Sequence, residues 1–186
     1  MDPLLPLQRP DLTRVVLTGP ESVGKTTLAS RLASHFGVEY VPEFVRGYAA
    51  SKDTALDFRD HGPIAHGQIA LEDRFAARAS RLLIHDTDLV STVVYCEHYF
   101  GKCPAFIVDM AAARRAQLYL LLDVDVPWVP DAVRDRGEQR REMHDLFARR
   151  LADLDMPVLR IGGTFDERFE TSAAAIDVLL DTHQPP

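Results

Sequence analysis

Residues 19–27 read GPESVGKTT. They match the spacing of two glycines followed by lysine and a hydroxyl residue that binds nucleoside triphosphates. Gly19 and Gly24 free the backbone to wrap around phosphates and aim N–H groups at them. Lys25 brings a positive charge to the outer phosphates, and Thr26 offers a hydroxyl to Mg²⁺. The expected ATP-binding set is Gly19, Glu21, Ser22, Val23, Gly24, Lys25, Thr26 and Thr27. A plain glycine-containing turn is the competing reading, and the flanks argue against it. The apolar run Val15–Leu17 precedes the motif, and a helix-forming run from Thr27 to Ala33 follows it.

Three further groups of residues have the chemistry to act on a bound triphosphate. Leu82-Leu83-Ile84-His85-Asp86 is an apolar run ending in an acid, so Asp86 is the first choice for a metal ligand, shared with Thr26. Asp88, two residues on, reads either as a second acid of the site or as the N-cap of the helix that begins at Leu89. Glu43 follows the short apolar run ending at Val41. It reads either as the group that takes a proton from an acceptor hydroxyl or as a first-turn acid complementing a helix dipole. Arg46, three residues later, falls on the same helix face and can pair with Glu43 or touch a substrate. The stretch Asp131–Arg141 is dense in arginine. Arg134 and Arg136 are its candidates for stabilising a transferring phosphoryl group; a solvated, charge-mixed helix start is the alternative.

Trp128 is the single tryptophan, set in Val-Pro-Trp-Val-Pro. It reads as a stacking face for a ring or as a plug packing its loop onto the sheet. Tyr95, Tyr99 and Phe100 are further aromatic candidates, though their helical spacing also suits core packing. His61 and His66 flank Gly62-Pro63 in what reads as a loop. They form no zinc pattern, because no cysteine or second histidine pair completes one. No GxSxG elbow is present, so serine-nucleophile chemistry is unsupported.

These groups need a frame, and the periodicity supplies one. Strands are expected over Arg14–Thr18, Val38–Val41, Arg81–Asp86, Leu118–Asp123 and Pro157–Ile161. Helices are expected over Lys25–Phe36, Glu43–Ala50, Ile64–Ser80, Leu89–Phe100, Phe106–Arg115 and Phe165–Asp181. Apolar strands separated by helices imply a parallel sheet covered on both faces. The expected fold class is α/β: a three-layer α/β/α P-loop nucleoside triphosphate hydrolase or kinase fold, with a five-stranded parallel sheet and a small lid. Residues 1–12 read as a partly disordered extension and 183–186 as a tail. Residues 13–182 read as a single P-loop kinase domain, with the lid at about 127–141. The irregular stretch Val124–Gly137 starts just past the fourth strand, where open α/β sheets bind ligands.

The chain has 186 residues, 46% hydrophobic and 26% charged, with a net charge of −7. That balance is ordinary for a globular domain and argues against a broad nucleic-acid surface. The two cysteines, Cys96 and Cys103, imply no disulfide framework. The start of the chain lacks a signal-peptide pattern, and no later run is apolar enough to span a membrane. The cytoplasm is therefore the expected place.

The strings GPESVGKTTLA, VPEFVRGYA, LLIHDTDLVSTVVY and YLLLDVDVPWVPDAVRDRG, in this order and spacing, resemble the ribosylnicotinamide kinase domain of NadR-type proteins. The likeness runs from about Thr13 to Leu180. It implies ATP- and Mg²⁺-dependent phosphorylation of the 5′-hydroxyl of nicotinamide riboside, giving nicotinamide mononucleotide for NAD synthesis. It implies Gly19, Gly24, Lys25, Thr26 and Thr27 on the triphosphate, Asp86 and Asp88 near metal and ribose, Glu43 and Arg46 on the acceptor side, and Trp128 against the nicotinamide ring. A cationic pyridinium over an indole face gains roughly 0.5–2 kcal/mol. The expected catalytic set is Lys25, Glu43, Asp88, Arg134 and Arg136, with Glu43 or Asp88 as the base. The expected substrate-binding set is Glu43, Arg46, Asp88, Tyr95 and Trp128. The partner is then a small molecule, with neither nucleic acid nor membrane. A homo-oligomer and a separate adenylyltransferase are compatible with it. No HxGH signature is present, so adenylyl transfer and repression are not carried over. The alternatives are a kinase for another nucleoside or nucleotide and a regulatory P-loop ATPase with no small-molecule acceptor.

Overall fold

The computed structural model describes residues 9–125 and 140–182. Five strands, β1 (Thr13–Thr18), β2 (Tyr40–Val41), β3 (Leu82–Asp86), β4 (Leu118–Leu122) and β5 (Val158–Ile161), form one sheet in the order β2-β3-β1-β4-β5. All four pairings are parallel, and β1 sits at the centre with Val16 opposite both His85 and Tyr119. Parallel neighbours require crossovers, and helices supply them: α1 (Lys25–Phe36), α2 (Phe44–Ala50), α3 (His61–Ala76), α4 (Leu89–Phe100), α5 (Ala105–Ala113), α6 (Arg140–Asp153) and α7 (Phe165–Thr182).

Successive strand side chains point to opposite faces, so each strand feeds two cores. Val15, Leu17, Ile84, Leu120 and Leu122 pack with Leu28 and Leu32 of α1 and with Ile176 and Leu180 of α7. Val16, Tyr119 and Leu121 pack on the other face with Ile69 of α3, Val90 and Val93 of α4, Ile107 of α5 and Phe147 of α6. This is the three-layer α/β/α arrangement expected from the sequence. Truncating one of these side chains, as in Leu28→Ala, costs about 2–5 kcal/mol.

Several boundaries differ from expectation for visible reasons. β2 is two residues long, because the Val38 amide closes the end of α1 by donating to Ala33 O at 2.9 Å and so cannot enter the sheet. His61 and His66 lie in α3 and not in a loop. A short 3₁₀ turn, Phe58–Asp60, precedes α3 and is capped by a reciprocal Asp57–Asp60 box, which starts the helix early. Pro63 then falls in the first turn, where its missing N–H has no helical partner to lose. The far end of α3 stops at Ala76, short of the expected Ser80. Arg9 takes the carbonyls of Ala76 and Ala79 there, at 2.8 and 3.0 Å.

Candidate active site

The P-loop leaves the C-terminal end of β1 and enters α1 through Gly24. Gly24 has φ 91 and is the N-cap of α1, with no side-chain cap. The first N–H groups of α1 therefore have no intrahelical acceptor and face the loop, which is the geometry that receives an anion. Gly19 has φ 129, and a Cβ placed on it would lie 3.1 Å from Leu122 O. The loop can pass the end of β4 only because this residue lacks a side chain. Val23 is buried and anchors the loop to the α1–α7 core, while Glu21 and Thr27 stay exposed.

With the N–H groups turned inward, the loop carbonyls turn out, and cations hold them. Lys25 Nζ donates to Gly19 O at 2.9 Å and to Pro20 O at 2.7 Å. Arg140 of α6 donates to Ser22 O at 3.2 Å. Arg168 of α7 donates to Val23 O at 2.9 Å, to Gly163 O at 3.0 Å and to Asp123 O at 3.1 Å, and it pairs with the Asp125 carboxylate. Three positive charges thus surround the loop. Burial lowers the Lys25 pKa, and Glu43, Asp86 and Glu21 act against that shift.

Thr26 Oγ1 donates to Asp86 Oδ2 at 2.6 Å. Asp86 is buried at the end of β3, and its Oδ1 has no partner among the described residues. Burial raises its pKa, opposed by the Thr26 hydrogen bond and the Lys25 charge. A hydroxyl and a carboxylate in contact, with one orphaned buried oxygen, are hard donors of the kind Mg²⁺ takes beside phosphate.

Asp88 serves as the cap of α4. Its Oδ1 accepts from the Val90 amide at 3.0 Å, and its Oδ2 accepts from the Tyr119 hydroxyl at 2.8 Å. Burial pushes its carboxyl up to about 6. Both oxygens are committed to the fold, and the structure gives Asp88 the cap reading over the acceptor-side one.

Glu43 is the N-cap of α2, with extended backbone, yet its carboxylate makes no cap hydrogen bond. It meets Arg46 at 3.3 Å, with the Glu43 side chain 17% exposed and Arg46 57% exposed. Its charge raises the pKa of Lys25, Asp86 and Tyr95, so it lies on the P-loop side of the cleft. The Tyr95 hydroxyl is buried beside the Glu21 backbone, in the field of Glu21 and Glu43, and burial raises its pKa. Its ring stacks on Tyr99 with centroids 6.2 Å apart and meets the edge of Phe147. The structure thus brings together Lys25, Thr26, Asp86, Glu43, Arg46 and Tyr95. Trp128, Arg134 and Arg136 lie outside the described residues.

Arg168 and Gln68 are parts of this arrangement that motif reasoning missed, and Arg140 belongs to the arginine-dense stretch in which motif reasoning favours Arg134 and Arg136. The signal was present for the two that were missed. Arg168 occupies the apolar stripe of α7 that continues through Ser172, Ile176 and Leu180. Gln68 occupies that of α3 between Ile64 and Glu72. A polar residue at a core-facing helical position needs a buried partner.

The profile of the AAA domain family matches residues 14–168. The chain belongs to the AAA domain family. Within it, this AAA domain is 30% identical over 162 residues to the trifunctional NAD biosynthesis/regulator protein NadR of Escherichia coli (strain K12), and 29% identical to the protein of that name in Salmonella typhimurium. Each match takes in 83% of this chain and 40% of the relative, so the chain spans two-fifths of the length of the curated relatives it matches. Among solved structures, a NadR protein in complex with NR superposes with a TM-score of 0.78 at 22% identity, over 90% of this chain and 50% of the other. Thymidylate kinase from Candida albicans superposes with a TM-score of 0.66 at 15% identity, over 94% of each chain. These structural likenesses are likenesses of fold, the P-loop kinase fold. No helix of the described residues is long and apolar enough to cross a membrane.

Proposed function

We propose that this AAA domain is an ATP-dependent kinase that phosphorylates the 5′-hydroxyl of nicotinamide riboside, yielding nicotinamide mononucleotide for NAD synthesis. One observation carries the reading: the fold brings the triphosphate apparatus, Lys25 with the Thr26–Asp86 pair, within the electrostatic reach of Glu43, an acid that caps no amide and meets the exposed Arg46 at 3.3 Å. The sequence similarity to NadR, over 83% of this chain, supports the choice of acceptor.

In this reading the P-loop amides and Lys25 hold the triphosphate of ATP. The riboside 5′-oxygen attacks the γ-phosphorus as the bond to the β,γ-bridging oxygen breaks. ADP leaves, and the hydroxyl proton passes to Glu43. Catalysis is then mostly alignment and charge stabilisation. Mg²⁺ would be held by Thr26 and Asp86, and when bound it offsets charge on the β- and γ-phosphoryl oxygens. Tyr95 closes the acceptor side against the Tyr99 ring. Arg134 and Arg136 as lid cations and Trp128 as the stacking face complete the proposal on sequence grounds. The reading places the protein in the cytoplasm and leaves its product to a separate adenylyltransferase.

The fold shared with thymidylate kinase raises a second reading, a nucleoside monophosphate acceptor. A phosphate-bearing acceptor needs free cations on its side of the cleft. The two candidates are both paired: Arg46 with Glu43 at 3.3 Å and Arg59 with Asp57 at 2.8 Å. ADP release across nicotinamide riboside, purine and pyrimidine nucleosides and nucleoside monophosphates separates the readings. Strong stimulation by nicotinamide riboside alone is expected. Stimulation by a monophosphate and none by nicotinamide riboside would sink the proposal.

A further inference from the structure

We propose that Gln68 of α3 is a positioning residue that fixes the turn from which the Glu43 carboxylate reaches the acceptor. The inference rests on the reading of Glu43 given above. The first amides of a helix have no partner within it, and an N-cap side chain serves the second or third of them, not the first. At α2 the N-cap Glu43 makes no such bond, and the first amide is met from α3: Gln68 Oε1 accepts from the Phe44 amide at 3.0 Å. That bond pins the backbone next to Glu43. Gln68 is 3% exposed, so no water stands in for it.

The orientation of the amide is set from behind. Gln68 Nε2 donates to Glu72 Oε1 at 3.2 Å, and Glu72 Oε2 accepts from Arg114 Nε at 3.1 Å. A flipped amide would place two acceptors face to face at Glu72 and two donors at Phe44, so one orientation survives. The neighbouring residue fixes the same turn through its side chain. Gly67 lies under the Phe44 ring, and a Cβ there would fall 2.1 Å from Phe44 Cζ. Backbone and ring of Phe44 are thus both seated on the Gly67–Gln68 step of α3. α2 itself has no buried residue; its other described tie is the Tyr48 hydroxyl, which donates to Asp60 Oδ1 at 2.9 Å near the far end of the helix. Gln68 touches no group placed at the reacting centre, and its effect passes entirely through Glu43.

A double-mutant cycle on the whole chain tests this, with ATP and nicotinamide riboside as substrates. Gln68→Met keeps volume and removes both hydrogen bonds. It is expected to lower kcat about tenfold to a hundredfold, the scale of an ångström-sized misplacement. KM for ATP should stay within about twofold, and in the Glu43→Gln background Gln68→Met should change kcat by less than about twofold. Gly67→Ala displaces the Phe44 ring by an independent route, and its loss should be absorbed by Glu43→Gln in the same way. That variant carries the test if Gln68→Met does not fold. Effects of Gln68 and Glu43 that multiply would overturn the inference. So would a Gln68→Met enzyme as fast as the parent while Glu43→Gln is impaired, an outcome that leaves the role of Glu43 standing. A silent Glu43→Gln variant in an active kinase would instead overturn the reading of Glu43 and the inference with it.

Discussion

The two walls of the cleft are built in different ways. The P-loop is held on every side: Gly19 passes tight against Leu122, Val23 is sunk in the core, and Lys25, Arg140 and Arg168 hold its outward carbonyls. The turn that carries Glu43 leaves the two-residue β2 at buried Val41 and is then held by fewer described contacts: Gln68 on the Phe44 amide, the Phe44 ring on Gly67, and the Tyr48 hydroxyl on Asp60. In the proposed reaction the first wall would receive the same triphosphate in every turnover, and a preformed cradle costs nothing to reorganise. The second would admit, align and release the acceptor, and a helix with no buried side chain moves at little cost. On that proposal, acceptor specificity belongs to the less anchored half.

Substitutions should expose that asymmetry, with the strongest effects on the donor wall. Lys25→Ala removes the charge on the outer phosphates, and kcat should fall by at least about 10²–10³-fold. It also frees two loop carbonyls, so a modest fall in melting temperature, smaller than that of Arg168→Met, is expected; a larger fall would mean that Lys25 is chiefly scaffold. Arg168→Met strips the donor from three carbonyls. It should cost about 2–4 kcal/mol in urea unfolding and raise KM for ATP, leaving KM for the riboside almost unchanged. Equal effects on the two KM values would erase the distinction between the walls.

The sheet beneath both walls carries an acid-sensitive element. His85 is buried with neither ring nitrogen bonded among the described residues. Burial, with help from Arg14 and Arg114, lowers its pKa to about 3. Its folded pKa lies below its unfolded one, so its contribution is present above the unfolded value and is lost as pH falls from about 6.5 towards 3. Each such proton costs about 1.4 kcal/mol per pH unit in that window. The stability difference between the parent and His85→Met should change with that slope, and a difference independent of pH would refute it. Asp88→Asn is expected to have the smallest effect. Asparagine keeps the cap to Val90 and can still face Tyr119, so kcat should stay within about twofold of the parent. A large loss of kcat would return Asp88 to the acceptor side.

The donor wall was legible in the sequence because its determinants are local. The residues of GPESVGKTT contact one another, and the bounds of α1 and α4 follow from glycines at 37 and 101. The existence of the five strands and the acid ending β3 follow from apolar runs of the right length. The acceptor wall depends on tertiary partners. Nothing near Glu43 reveals that its helix is capped by Gln68, twenty-four residues away. Arg168 reaches Val23 across most of the chain. Local composition also misled: Gly62-Pro63 reads as a turn, and the Asp57–Asp60 box makes it the start of a helix.

The most direct test of the account is to identify the product. The chain incubated with ATP, Mg²⁺ and nicotinamide riboside should form ADP and nicotinamide mononucleotide in equal amounts, with the new phosphate seen on the 5′-carbon by phosphorus NMR. ADP formed at the same rate with and without the riboside, with the riboside recovered intact, would contradict it.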